Sequence, residues 1–214
     1  MSKERPILMN GAMVRAVLDG SKTQTRRVMK PQPVPIPGEP GKHWWPSNAA
    51  QSMMRVEDSF QKHPGIFDDA CPHGVPGDRI WVRETFAIDD DGYFESAVYR
   101  ADQVALPVLP ATRKPNKWRP SIHMPRWASR IQLEIVSVRV ERLQDISDAD
   151  IVAEGIDMEA LAESQDRYDI VCKGSGASGR ATERTVWRDL WESTGGDWDA
   201  NPWCWAITFK RVTP

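Results

Sequence analysis

The sequence has no apolar run approaching the roughly 20 residues that span a bilayer. Its opening, MSKERPILMNG, carries basic residues with no apolar segment behind them, so neither a membrane span nor a secretory signal is expected. Cysteine is scarce. Cys71, Cys172 and Cys204 lie far apart, and an odd, scattered set gives no disulfide framework and suits a reducing compartment. A cytoplasmic protein without a membrane partner is expected. Excess charge is also missing: the net charge is −2 and the pI about 6.1. Domains that coat duplex DNA by bulk electrostatics have a pI above about 9, which leaves a local basic patch or a small, mostly neutral substrate. No CxxC or HExxH is present, and Cys71-Pro-His73, with His63 nearby, lacks a fourth ligand at regular spacing. CPHG (Cys71–Gly74) therefore reads as a turn, with no metal and no cofactor expected. The loop GSGASG (Gly174–Gly179) lacks the Lys-Ser/Thr of a phosphate cradle and follows no strand, which argues against nucleotide triphosphate chemistry. There is no internal repeat.

What is present is a soluble-looking composition, 40% hydrophobic and 27% charged over 214 residues, enough for one large domain spanning 1–214. Ten tryptophans stand out. Each supplies a large buried area or a flat stacking surface for bases. Proline is dense in PQPVPIPGEPGKHWWP (Pro31–Pro46) and again after Ala101, and these stretches read as loop insertions over about 31–75 and 101–120. No regular element is expected in Pro31–Pro46.

Periodicity places the elements between them. Arg5–Asn10 reads as a strand, and Gly11–Asp19 as a helix with Met13, Val14, Val17 and Leu18 on one face and Gly20 as its stop. Thr23–Met29 alternates like a strand. After the turn GVPGD, Arg79–Ala87 and Tyr93–Arg100 read as antiparallel strands about the turn Asp89–Gly92. Asn48–Gln61 could hold a short helix or strand. Ile131–Leu143 is the clearest strand, with an apolar phase change between Ile135 and Val136 that suggests a bulge. Ser147 caps a short helix ending at Glu154–Gly155, with Asp150 at the capping-box position, and Asp157–Ile170 reads as a second helix. Thr182–Ser193 reads as an amphipathic helix burying Val186, Trp187, Leu190 and Trp191, and Trp203–Val212 as a closing strand. The sum is an α+β domain on a curled sheet or small barrel, mostly antiparallel.

Two segments carry candidate chemistry. In GSKTQTRR (Gly20–Arg27) a helix end turns directly into a strand bearing Lys22, Thr23, Thr25, Arg26 and Arg27. This is either a solvated strand edge or a polar pocket with Thr25 as nucleophile or orienter and Lys22 as base or electrostatic anchor. Lysine serves as a base only where burial lowers its pKa. Residues i and i+3 face opposite sides of a strand, so Lys22 and Thr25 converge only if the turn reaches residue 22 or 23. The second segment, WRPSIHMPRWASR, interleaves Trp118, His123 and Trp127 with Arg119, Arg126 and Arg130, and Arg113, Lys114 and Lys117 lie just upstream. Mixed basic and aromatic groups suit contact with phosphates and bases, although the tryptophans could equally pack inside and the arginines face carboxylates. Arg26, Arg27 and Arg83 add to the candidate substrate- or nucleic-acid-binding set.

DGSKTQTRR after a short helix, PGDRIWVRE (Pro76–Glu84), IVSVRVERLQDISDADIVAEGI (Ile135–Ile156) and WAITFKRV (Trp205–Val212) resemble, in order and spacing, the ASCH domain. That family is a small β-barrel related to the PUA fold, and the layout resembles the larger ASCH proteins of phages and prophages. The resemblance spans nearly the whole chain outside the proline-rich segments. It implies a PUA-like barrel of mostly antiparallel strands with a few flanking helices, in a bacterial host cytosol if phage or prophage encoded. It also implies an amidohydrolase acting on N4-acetylcytidine or a similar modified nucleoside, with Lys22, Thr25 and Glu154 as the catalytic set. Other family members are ribonucleases or RNA-binding modules. A noncatalytic module holding single-stranded nucleic acid, or a ribonuclease, therefore stays open as an alternative.

Overall fold

A computed structural model describes residues 3–46, 53–57, 70–90, 95–104, 117–172 and 179–212. The turn Asp89–Gly92, the segment 48–61, His63, Arg113, Lys114 and the GSGASG loop fall wholly or partly outside these residues. The chain divides into two compact units. One comprises Met1–Gly20, Cys71–Ser137 and Thr208–Pro214; the other comprises Ser21–Ala70 and Val138–Ile207.

The architecture is α+β with mostly antiparallel strands. In the first unit, β1 (Glu4–Leu8) pairs in parallel with β5 (Arg79–Arg83), which pairs antiparallel with the first part of β8 (Gln132–Arg142). The parallel pairing departs from the antiparallel reading of the strand pattern. Its connection runs through α1 (Gly11–Asp19), β2 (Gln24–Val28) and the short strands β3 (Val34–Pro35) and β4 (His43–Trp44), well beyond the dozen or so residues a parallel crossover needs. In the second unit, the strand order is β8, then β9 (Trp203–Val212), then β2. Among the described residues no sheet closes on itself.

Local chemistry explains most boundaries. Asn10 caps α1 by accepting from the Met13 N–H at 2.9 Å, and Gly20, with φ of 89°, ends it in the left-handed conformation. Val14, Ala16 and Val17 form its buried face. The expected strand Arg79–Ala87 is two strands. β5 stops at Arg83, and β6 (Phe86–Asp90) pairs antiparallel with β7 (Glu95–Tyr99). The break falls at Glu84, whose backbone N–H reaches Met124 Sδ and whose carboxylate turns to Arg130. Phe86, Met124 and Ala128 form a buried cluster beneath this hairpin. Along β8 the buried set shifts phase as read, from Leu133 and Ile135 to Val138. Gly74, in the turn before β5, has φ of 118°, and a Cβ there would meet Arg5 Nη1 at 2.8 Å and Asp78 Oδ2 at 3.0 Å. Only glycine fits beside that ion pair.

In the second unit, Ser147 caps α2 (Asp148–Ala153) through the Asp150 N–H at 3.1 Å. Then follow α3 (Met158–Cys172) and α4 (Glu183–Ser193), the latter opened by a Thr182–Thr185 capping box. Trp187 and Trp191 of α4 are buried with Leu143, Ile146, Ile151, Ile156 and Cys204, while Val186 and Leu190 are only partly covered. The proline-rich Pro31–Pro46 does contain regular structure. Val34 pairs with Trp44 and Pro35 with His43 in a two-residue antiparallel ladder. Proline is tolerated there because so short a pairing leaves few ladder N–H groups to lose. Beyond it Trp45, 1% exposed, meets Trp205 edge-on at 5.8 Å.

Candidate functional site

The second unit gathers Lys22 and Glu154, 132 residues apart in sequence, at a Nζ–Oε2 distance of 2.6 Å. Their meeting follows from backbone pairing. Lys22 and Glu154 form an isolated antiparallel bridge, and the Thr23 N–H donates to the Ala153 carbonyl at 2.8 Å. Glu154 caps the C-terminus of α2, an electrostatically poor place for an acid. Lys22 answers that: its ammonium also donates to the Glu154 backbone carbonyl at 2.7 Å, putting a cation on the helix's carbonyl end.

The extended run begins at Lys22, not at Gln24, so Lys22, Gln24 and Arg26 share one face by alternation. The side-chain bonds bear this out. Arg26 Nη1 donates to Gln24 Oε1 at 2.7 Å and to Glu154 Oε1 at 3.1 Å. Arg26 Nε donates to Glu141 at 2.8 Å and Nη2 donates to the same carboxylate oxygen. Asp150 closes the cluster, accepting from Gln24, Arg26 and Arg139 at 3.1, 3.1 and 2.7 Å. Asp150 therefore works through its side chain on this cluster, and the helix cap is Ser147's. Spacing of two from Lys22 was the available signal for Gln24 and Arg26 as one row; nothing in the sequence tied Glu141 or Asp150 to them.

Burial here is extreme. The Lys22 side chain is 0% exposed and that of Glu154 2%. Desolvation pushes the Lys22 pKa below its ordinary value, opposed by the adjacent Glu154 charge. Burial would raise Asp150, but the bond from Gln24 and the charges of Arg139 and Arg26 outweigh it, holding Asp150 below the ordinary carboxylate value. Under this cluster the Cys204 thiol is pushed up to about 12 by burial. Thr25 is 1% exposed in the same strand, on the face alternation sets opposite Gln24 and Arg26. Arg27, next along, is half-buried, and its interaction with the Glu154 charge partly offsets its desolvation.

The remaining candidates lie in the first unit. Trp118 is half-buried, while Arg119, His123, Arg126 and Trp127 are exposed, Trp127 at 55%. The tryptophans of this segment are thus not core. Arg126 pairs with Glu4 at 3.0 Å and lies 5.8 Å from the Trp81 ring centroid. Arg83 sits 4.8 Å from the same ring, and its buried Nε makes no hydrogen bond. Arg130, by contrast, is bound to Glu84 and Asp102. Cys71 is buried, with the His73 and Gly74 N–H groups turned to it. Among the described residues no group of three His, Cys, Asp or Glu side chains is arranged to hold a metal, and no helix is long and apolar enough to cross a membrane. No protein-family model, no curated protein and no solved structure matches this chain.

Proposed function

We propose that this protein is an ASCH-type, PUA-like barrel protein of the cytoplasm that hydrolyses the amide of a modified nucleoside such as N4-acetylcytidine. Lys22, Thr25 and Glu154 form its working set. One observation carries the reading: the lysine and glutamate implied by the resemblance meet at 2.6 Å in a desolvated cluster. A lysine works as a base only in its neutral form, and burial favours that form. In the proposed reaction the Thr25 hydroxyl attacks the acetyl carbonyl while its proton passes to neutral Lys22. That transfer needs the chain to turn between residues 22 and 25, since alternation otherwise sets Thr25 on the face opposite Lys22. The resulting ammonium returns a proton to the departing N4 amine, and water then cleaves the acyl-threonine ester to give acetate and free Thr25. Glu154 holds the Lys22 amine in place through both exchanges.

The test is release of cytidine from N4-acetylcytidine, free or within a polynucleotide. Wild type should turn over, and Lys22→Ala, Thr25→Ala and Glu154→Ala should each lose on the order of 10² or more in kcat. Absence of turnover by wild type on both substrates sinks the proposal.

A second reading is favoured by a different observation. The Lys22 amine already binds both a carboxylate oxygen and a carbonyl oxygen of Glu154, while Trp127 and Ile122 stand more than half exposed beside Arg119 and Arg126. In that reading the cluster is structural and the protein is a noncatalytic module for single-stranded nucleic acid. Affinity for an oligonucleotide should then fall with salt, and Arg119→Ala and Arg126→Ala should each reduce the salt slope by about one unit.

A further inference from the structure

The first unit contains a cavity of about 280 Å³ whose walls include Ala12, Arg15, Glu84, Thr85, Arg100 and Ala101. Its volume is near the lower end of the range for small-molecule sites, about 300–1,000 Å³. Glu84 is the unusual member, a carboxylate 2% exposed at a cavity wall. It is held rigidly. Arg130 donates from Nε to Oε1 at 2.9 Å and from Nη2 to Oε2 at 3.0 Å. Arg130 is itself fixed by two bonds of 2.8 Å to Asp102 and by stacking 3.9 Å from the Tyr99 ring centroid. A carboxylate offers about four acceptor positions, and Arg130 fills two. A buried acceptor with unused capacity, locked in one orientation beside open volume, is a receptor for a donor.

The surrounding charge selects what kind of donor. A cationic amine at Glu84 would also meet the positive charge of Arg15, whose Nη1 donates to the Ala101 carbonyl at 3.3 Å, and of Arg100, both residues of the lining, and of Arg130, bonded to the carboxylate. A simple anion would meet Glu84. A ligand satisfying both walls carries uncharged N–H donors at one end and negative charge at the other. An amino-bearing nucleobase with a phosphate matches that division.

We propose that this cavity binds a nucleoside monophosphate, its exocyclic amine on Glu84 and its phosphate toward Arg15 and Arg100. The choice of ligand class rests on the nucleoside reading above, but the residues are separate from Lys22, Thr25 and Glu154.

Calorimetric titration of the full chain with cytidine, guanosine and uridine 5′-monophosphates and with ribose 5-phosphate tests it. The two amino-bearing nucleotides should bind at least about tenfold more tightly than uridine monophosphate or ribose 5-phosphate, since neither of these offers an amine to a site built to accept one. Glu84→Gln should remove that preference. Because Glu84→Gln also disturbs Arg130, Ala12→Leu provides an independent check. Residue 12 is an exposed helix position, so leucine there should narrow the cavity and weaken binding by about tenfold with no change in thermal midpoint. Equal affinity for all four probes, no binding by any of them, or binding indifferent to Ala12→Leu overturns the proposal. Deacetylation measured on the same wild-type preparation separates the two ideas. Turnover without nucleotide binding removes only this cavity's role, and binding without turnover removes only the hydrolase.

Discussion

At the scale of single residues, the second unit concentrates cost and consequence in one buried row. Lys22 and Arg26 have side chains with no exposure, and three carboxylates surround them. Removing one partner of such a cluster leaves a charge in a medium that cannot solvate it. Lys22→Met should therefore lower the unfolding free energy by about 3–5 kcal/mol, read from urea denaturation. The row also links stability to pH. Asp150 is held below its ordinary value of 3.8, so its contribution is complete above that value and disappears as pH falls through the lower folded-state value. Unfolding midpoints followed downward through this window should fall, and Asp150→Asn should show a shallower fall from a lower starting stability. Cys204, its thiol raised to about 12, should not react with a thiol reagent in the native protein and should react fully once the chain is unfolded. Of all this, sequence disclosed the residue types Lys22, Thr25 and Glu154 and the alternation of the strand carrying Thr25. It could not disclose that the extended backbone already begins at Lys22, because that depends on pairing with Glu154, 132 residues away. Nor could it show Arg130 taken up by Glu84 and Asp102 while its neighbours Arg126 and Trp127 stay exposed, since all read alike as basic or aromatic residues on a loop.

At the scale of elements, local signals were read well wherever they were complete. Ser147 and Gly20 open and close helices as read, whereas Asn10, read as the end of a strand, and Thr182, read inside a helix, are caps that accept a backbone N–H. Thr182→Ala should cost about 1 kcal/mol, since it removes one half of the capping box, and thermal denaturation will show it. Gly74→Ala should cost more than a cap. The new methyl would meet the Arg5–Asp78 ion pair as well as an unfavourable backbone conformation. Urea midpoints for Gly74→Ala and Thr182→Ala, taken side by side, check that order. Where sequence reading failed, a tertiary contact had overridden a local pattern. Arg79–Ala87 alternates without interruption, and the division into β5 and β6 falls where Glu84 turns to Arg130 and Phe86 pairs with Arg119. The ladder inside Pro31–Pro46 escaped for the opposite reason: two residues per strand leave no periodicity to detect.

At the scale of the molecule, composition constrained the charge and the broad class, and the α+β content with mostly antiparallel strands agrees with it. The parallel pair β1–β5 was invisible, because a strand's own residues do not record the direction of its neighbour. The near-neutral net charge of −2 carries a consequence for binding. Long-range attraction to polyanions is weak, so any oligonucleotide contact must come from local groups such as Arg119 and Arg126.

The division of the chain sets an order of events during synthesis. Residues of Met1–Gly20 and Cys71–Ser137 share a unit with Thr208–Pro214, while everything from Val138 to Ile207 belongs to the other. A ribosome delivering this chain from its N-terminus therefore exposes β1, α1 and β5 long before the last part of β9 emerges. Thr208–Pro214 completes the unit that Met1–Gly20 opens. Until then β8, already paired with β5 on one side, lacks part of its β9 neighbour on the other, and chains halted before residue 208 should be more sensitive to protease within Gln132–Arg142 than chains that carry all of β9.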